Sequence, residues 1–233
     1  MRLGITRSAS QLNTIQTLAA SRGIDIVPLP VIEICNLPFE WPAKLSPEKV
    51  DWLFFTSSSG VVSFFEQLIQ LKLKLPREVG IGVIGDKTNL SLQQYGRSAN
   101  FVPTKSYGKE LFEEFVQTIA NGDETVIYAR ALLVNYDPVT IFRTKHLKYY
   151  SIICYKTMEQ KIDPELVTAL SPNDYILFTA PSTIMAYQLQ FGIPVAKPIA
   201  IGHATASEMN SLGWSRYTIM EKADIDLVME HLS

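Results

Sequence analysis

The stretch Asp51-Trp-Leu-Phe-Phe-Thr-Ser-Ser-Ser-Gly-Val61 is an apolar run closing in a hydroxyl cluster, and it decides the fold because it recurs. Its second half, Phe55-Thr-Ser-Ser-Ser-Gly-Val61, is echoed by Phe178-Thr-Ala-Pro-Ser-Thr-Ile184. In both, a buried type of strand gives way to small residues of the kind that open a helix. A second pair follows in the same order, Ile84-Gly-Asp-Lys-Thr88 and Ile201-Gly-His-Ala-Thr205. It continues at constant offset, 205 − 88 = 213 − 96 = 117, so Gly96 and Gly213 correspond as well. Both glycines fall where a helix should stop in a left-handed C-cap. Two pairs of motifs in one order predict two similar α/β halves.

Working outward, short apolar runs alternate with helical patterns, the signature of parallel sheets with crossover helices. Strands are expected at 3–6, 24–28, 50–56, 80–84, 99–102, 125–129, 149–157, 174–178, 198–201 and 216–219. Helices are expected between them, the first capped by Ser8 or Ser10 and ending at Gly23, the last over 224–232. The central portion supplies about five strands, whereas the C-terminal portion supplies only three, fewer than a usual sheet. The two N-terminal strands complete that second sheet. The fold class expected is therefore α/β: two similar parallel-sheet domains, one discontinuous, joined by a two-stranded linker. Domain one takes residues 1–35 plus 160–233, domain two is the insertion 39–150, and the proline-flanked segments 29–38 and 151–162 are the linker strands. These two segments are expected to pair as an antiparallel hinge.

Composition narrows the function. Of 233 residues, 47% are hydrophobic and 19% charged, ample for packed cores and unlike a disordered chain. A net charge of −2 provides no general basic field, so nucleic acid is not an expected partner. Cys35 and Cys154 form no CxxC, and His146, His203 and His231 are scattered, so no metal is expected. No apolar run approaches the roughly 20 residues that span a bilayer, and Met1-Arg-Leu-Gly-Ile-Thr-Arg-Ser8 has no apolar run of the signal-peptide kind, so no signal peptide is expected. A cytoplasmic monomer, with no membrane association, is the expectation.

In an open parallel sheet, ligands bind beyond the carboxyl ends of the strands, where helix amino termini point N–H groups outward. Thr56, Ser57 and Ser58, Gly85 and Thr88, Thr179 and Ser182, Gly202 and Thr205 all fall at such ends. Small hydroxylated residues there cap the helices and leave room for an anionic group. No Walker loop or GxGxxG fingerprint is present, so a nucleotide is not indicated.

Several runs resemble those of uroporphyrinogen-III synthases, in order along nearly the whole chain. Asp51-Trp-Leu-Phe-Phe-Thr-Ser57 is similar to that family's Asp-Trp-Leu-Ile-Phe-Thr-Ser. Ile84-Gly-Asp-Lys-Thr88 and Ile201-Gly-His-Ala-Thr205 resemble its paired Ile/Val-Gly-x-x-Thr turns. Gly4-Ile-Thr-Arg7 and Cys154-Tyr-Lys-Thr157 resemble its first strand end and its second linker strand. The resemblance implies a cofactor-free lyase acting on hydroxymethylbilane, a linear tetrapyrrole rich in carboxylates, in porphyrin and heme biosynthesis. Loss of water would leave an electrophilic azafulvene, and a spiro intermediate would invert ring D before closure to uroporphyrinogen III. Transient contact with porphobilinogen deaminase, which makes the substrate, is a further implication.

By the same resemblance Tyr155 assists the leaving hydroxyl, while Thr88, Thr205, Ser57 and Ser58 bind substrate carboxylates in a cleft between the domains. Arg7, at a strand's carboxyl end, is expected to pair with a substrate carboxylate or to brace a surface acid, and Lys87 and Lys156 are expected as additional cations. Two departures stand out. Ala180 replaces the serine of the family's Phe-Thr-Ser-Pro, so Thr179 or Ser182 must supply any hydroxyl needed there. After Arg130, Ala131-Leu-Leu-Val-Asn135 replaces a Gly/Arg-rich loop. The alternative is a two-domain α/β binding or sensor module for an anionic metabolite, without catalysis.

Overall fold

The computed structural model describes residues 1–7, 12–105, 108–221 and 224–232. In chain order its first half holds β1 (Arg2–Ile5), α1 (Asn13–Ala20), β2 (Asp25–Pro28), β3 (Ile32–Asn36), β4 (Trp52–Phe55), α2 (Ser58–Gln70), β5 (Gly80–Val83), α3 (Gly85–Gln93) and α4 (Gly108–Thr118). The rest holds β6 (Thr125–Ala131), α5 (Val139–Thr144), β7 (Lys148–Glu159), α6 (Pro164–Thr168), β8 (Tyr175–Phe178), α7 (Pro181–Phe191), β9 (Lys197–Ala200), α8 (His203–Ser211), β10 (Thr218–Ile219) and α9 (Ile225–Leu232). The chain divides into two compact units, Met1–Glu33 with Met158–Ser233, and Ile34–Thr157.

The second unit carries a five-stranded sheet in the order β3-β7-β6-β4-β5. Its neighbours β4–β5, β4–β6 and β6–β7 are parallel. At the edge, Gln160 N–H bonds Val31 O and Leu37 N–H bonds Cys154 O; one strand counts up as the other counts down, so β3 runs antiparallel to β7. Residues 151–162 are thus mostly the second part of a twelve-residue strand whose first part pairs with β6. Helices cover both faces. On one, Val61, Phe64, Phe65 and Leu68 of α2 repeat at helical spacing and join Phe55, Val83 and Ile127 in a core cluster. On the other, Phe112 and Phe115 of α4 and Phe142 of α5 pack around Phe54.

The strand expected over 99–102 is reduced to a single bridge between Phe101 and Gly82. The cause is local: the Asn100 side chain accepts the Ile81 amide that a strand carbonyl would take, and Pro103 has no amide to extend the ladder. The fifth strand of this sheet is β3 instead.

The first unit's sheet, β10-β9-β8-β1-β2, is parallel throughout. Apolar residues of α7 and α8 pack on one face and those of α1 and α9 on the other. Ser8 and Ser10, expected as caps of the first helix, lie outside the described residues. The repeat reaches the backbone. Gly96 donates to Gln93 O and Arg97 to Leu92 O, and likewise Gly213 to Asn210 O and Trp214 to Met209 O. These are two Schellman closures, each with its glycine at positive φ (64° and 77°).

Asp174 joins the amino ends of β1 and β8. Its carboxylate accepts from Ser171 N–H, Ser171 hydroxyl and Arg2 N–H at 2.9, 2.7 and 2.8 Å. Hydrogen bonds to the charged form, chiefly from Ser171, hold its pKa at about 2. The folded state therefore binds this proton less readily than the unfolded chain. Its contribution is complete above the ordinary value of 3.8 and fades as pH falls through about 2. Asp174→Asn is expected to cost about 1 kcal/mol at neutral pH, with the urea midpoints of the two proteins converging toward pH 2. A constant gap down to pH 2 would remove this carboxylate from the pH dependence.

Candidate active site

Each sheet has one place where the winding reverses, and there the loops part to leave a crevice. In the second unit, β4 leads outward to β5 on one side while β6 leads to β7 on the other, so the crevice opens at the carboxyl ends of β4 and β6. In the first unit, β1 leads to β2 and β8 to β9 and β10, so it opens between β1 and β8. Thr56 and Ser57 follow β4, and Arg7 and Thr179 follow β1 and β8. The echoed Phe-Thr motifs thus mark the reversal point in each unit.

In the second unit these residues form a hydrogen-bond network. Ser57 is extended and caps α2, its Oγ accepting from Gly60 N–H at 3.1 Å. The same Oγ lies 2.7 Å from the Tyr155 hydroxyl. Thr56 Oγ1 lies 3.0 Å from the hydroxyl of the buried Tyr128. Ser58 donates to Lys87 O at 3.3 Å. These hydroxyls, expected to be open to substrate, are therefore already engaged within the chain.

A β-bulge places Tyr155. Arg130 of β6 pairs with Ile153, but Ala131 pairs with Tyr155, so Cys154 is an extra residue. Strand alternation would put Cys154 and Tyr155 on opposite faces; the bulge resets it, and both join the same core cluster. Tyr155 is 8% exposed. Burial raises its pKa, the Ser57 hydrogen bond offsetting part of the effect, so the phenol keeps its proton throughout the neutral range. Burial also pushes the Cys154 thiol up to about 12, which makes it inert as a nucleophile.

Arg130 fixes the loop beside Tyr155. Its guanidinium donates to Ala131 O and Leu132 O at 2.9 and 3.1 Å, to Ser151 Oγ at 2.6 Å, and lies 3.8 Å from Asp137. Leu132 N–H in turn donates to Tyr155 O at 2.8 Å. The apolar loop is thus held by its own arginine.

The first unit's rim differs. Ala180 is the N-cap of α7 and gives no side-chain acceptor; neither Thr179 nor Ser182 supplies one. Among the described residues the Thr179 and Ser182 side chains make no hydrogen bond, and Ser182 is exposed. The amino ends of α3 and α8 are likewise without a side-chain cap, so of the four echoed helix starts only α2 has the expected hydroxyl cap. Gly85, at φ 72°, holds a left-handed turn, whereas Gly202 is extended and free of any conformational need for glycine. Thr88 and Thr205 are 5% and 3% exposed and make no side-chain hydrogen bond among the described residues. Among the described residues no fully buried side-chain oxygen lacks a partner. Lys87 and Ser182 are exposed and Lys156 half-buried.

Arg7 is half-buried just after β1, and desolvation lowers its pKa. It forms no ion pair or hydrogen bond among the described residues. A desolvated cation without an anion weakens the free protein and favours an anionic ligand. Arg7→Gln is expected to weaken binding of a carboxylate ligand about tenfold without lowering the thermal midpoint. A fall in both would mean that Arg7 braces the fold.

Tyr128 and Arg130, which support Thr56 and the loop beside Tyr155, carry no signal in the sequence beyond their place in one strand. Among the described residues no three His, Cys, Asp or Glu side chains cluster as metal ligands, and no helix is long and apolar enough to cross a membrane.

The family model for uroporphyrinogen-III synthase HemD matches residues 13–230. A uroporphyrinogen-III synthase of Synechococcus elongatus is 28% identical over 120 residues, 49% of this chain and 45% of that protein. The chain spans about half the length of the curated relatives it matches. Among solved structures, the uroporphyrinogen-III synthetase of Helicobacter pylori superposes with TM-score 0.62 at 20% identity, covering 100% of this chain and 99% of that one. A mutant uroporphyrinogen III synthase of Thermus thermophilus superposes with TM-score 0.63 at 14% identity, covering 100% and 97%. At such identities these two likenesses establish the α/β fold, and it is the match of the family model over nearly the whole length that shows the chain to belong to the uroporphyrinogen-III synthase HemD family.

Proposed function

We propose that this chain is a uroporphyrinogen-III synthase, dehydrating hydroxymethylbilane and closing it with inversion of ring D, with no cofactor. The observation that carries the reading is the Tyr155–Ser57 pair, a protonated phenol held 2.7 Å from a half-buried serine hydroxyl at the reversal point of the sheet. Ser57 Oγ already accepts from Gly60 N–H. Either hydroxyl of the pair can be the donor; in this reading Tyr155 donates to the lone pair of Ser57 Oγ left beside the Gly60 bond, and the Ser57 hydrogen turns outward to the departing hydroxyl. General-acid help of this kind favours water as the leaving group and leaves the electrophilic azafulvene in its protonated, azafulvenium form beside the Tyr155 phenolate, which regains a proton released as the ring closes. In the first unit, carboxylates of the substrate are met by Arg7, Thr179, Ser182 and Thr205; in the second, by Thr88 with the uncapped start of α3, at Gly85. Lys87 and Gly202 border these positions. The rest of the catalysis is positional: the substrate closes unaided to the uninverted isomer, so the protein must hold it where ring D can flip.

The test couples the purified protein in excess to a porphobilinogen deaminase and separates the oxidised porphyrin isomers. Type III isomer is the expected product. Exclusive type I overturns the reading and leaves a binding module for an anionic metabolite.

A further inference from the structure

At the opposite edge of the first unit's sheet lies a cavity of about 680 Å³ that the proposed reaction does not use. It sits at the amino ends of β8, β9 and β10, whose first residues, Tyr175, Lys197 and Thr218, all line it. The backbone makes it. Lys197 N–H donates to Asp174 O just before β8 and Ile201 N–H to Phe178 O of β8, whereas Ala200 O accepts from Met220 N–H just after β10, so alternate residues along β9 face alternate neighbours. Pro198 faces the β10 side and has no N–H to donate. The β9–β10 ladder accordingly begins only at Ile199 with Thr218, and the sheet opens below it.

The lining has one sign of charge. Its charged members are Lys197 and Arg216, with Tyr175, Tyr217, Trp214 and His231 beside them and no Asp or Glu. Lys197 and Tyr175 are register partners, and the ammonium lies 5.1 Å from the centre of the Tyr175 ring. Arg216 is exposed and forms no ion pair or hydrogen bond among the described residues. The polar tips of the other two aromatics are directed to partners, Trp214 Nε1 donating to Gln188 at 2.7 Å and Tyr217 hydroxyl bonding Asn210. Trp214 is itself buried, so the ring surfaces of Tyr175 and Tyr217 and the cationic groups are the chemistry the cavity offers. The volume falls in the range of small-molecule sites.

We propose that this cavity binds a flat aromatic anion, its ring against Tyr175 and its acidic groups on Lys197 and Arg216. Aromatic surface supplies apolar contact, and two cations without an acidic partner among the described residues supply orientation, an arrangement that neither an aliphatic anion nor a neutral ring satisfies in full. The site is independent of the reaction proposed above, since β9 separates it from Gly202 by about 15 Å of strand.

Naphthalene-1,5-disulfonate is a suitable probe, titrated into the full-length ¹⁵N-labelled protein and followed by amide shifts. Saturable shifts are expected at the non-proline residues of 193–198 and 213–218, with ethane-1,2-disulfonate at least tenfold weaker. Arg216→Gln and Tyr175→Leu are each expected to weaken the aromatic probe about tenfold. Arg216 is exposed, so its variant leaves the fold intact and is the decisive one. Equal affinity for the two disulfonates, shifts elsewhere, or indifference to Arg216→Gln would overturn the assignment.

Discussion

Replacing Phe54 with alanine is expected to lower the stability of the second unit by about 3–5 kcal/mol, the cost of emptying a large buried aromatic site. Phe54 is fully buried, with Trp52, Phe112, Phe115 and Phe142 around it at ring-centroid distances of 6.2, 5.5, 4.8 and 5.8 Å. Four aromatic neighbours cannot collapse into the space, because each is held by the next. The adjacent strand tells the same story in reverse. Trp52 and Phe54 are register partners of Gly80 and Gly82, and a Cβ built on Gly82 would stand 2.5 and 2.7 Å from atoms of the Phe54 ring. Gly82→Ala is therefore expected to cost about 1–3 kcal/mol by overpacking. In the Phe54→Ala background the added methyl meets no ring, so the same change should be close to neutral. A double-mutant cycle from urea midpoints would show this as favourable coupling of about 1 kcal/mol or more. Strict additivity would mean that the glycine is not there to receive the ring.

The α/β class was legible because it is written twice. β5 and β9 begin at Gly80 and Lys197, and the Phe101 bridge and Thr218 stand in the same relation, all at the 117-residue offset first seen in Thr88 and Thr205. Gly96 and Gly213 close their helices with one hydrogen-bond pattern. What stayed hidden depends on contacts that composition does not encode. The strand expected over 99–102 shrank to a bridge because a side chain, Asn100, took the place of a carbonyl. Hydroxyl clusters at strand ends suggested helix caps, yet α3, α7 and α8 start without one. A single residue of bulge at Cys154 turns Tyr155 to the face where Ser57 lies, and no periodicity in the sequence announces a bulge. The candidate site was thus visible as residue types at strand ends. Which hydroxyls are engaged and which are open was not.

That distinction makes Tyr155→Phe the most informative change for the proposed chemistry. Phenylalanine keeps the ring in its core cluster and removes only the hydroxyl, so stability should fall by no more than about 1 kcal/mol. Turnover is expected to drop about 10²-fold, the lower end of general-acid catalysis, with KM changed less than threefold. Ser57→Ala removes the relay and also the α2 cap, and should cost about 1 kcal/mol of stability together with a similar loss of turnover. If both act in one proton path, the double variant is no slower than the worse single one; multiplied losses would mean two separate roles. The pH profile adds an independent check. An acid must be protonated to act, and burial moves the Tyr155 phenol above its ordinary pKa of 10.0. The alkaline limb of turnover due to this group therefore lies above pH 10, and Tyr155→Phe removes it. Unchanged turnover in Tyr155→Phe would reduce the residue to packing and leave the dehydration step to another group.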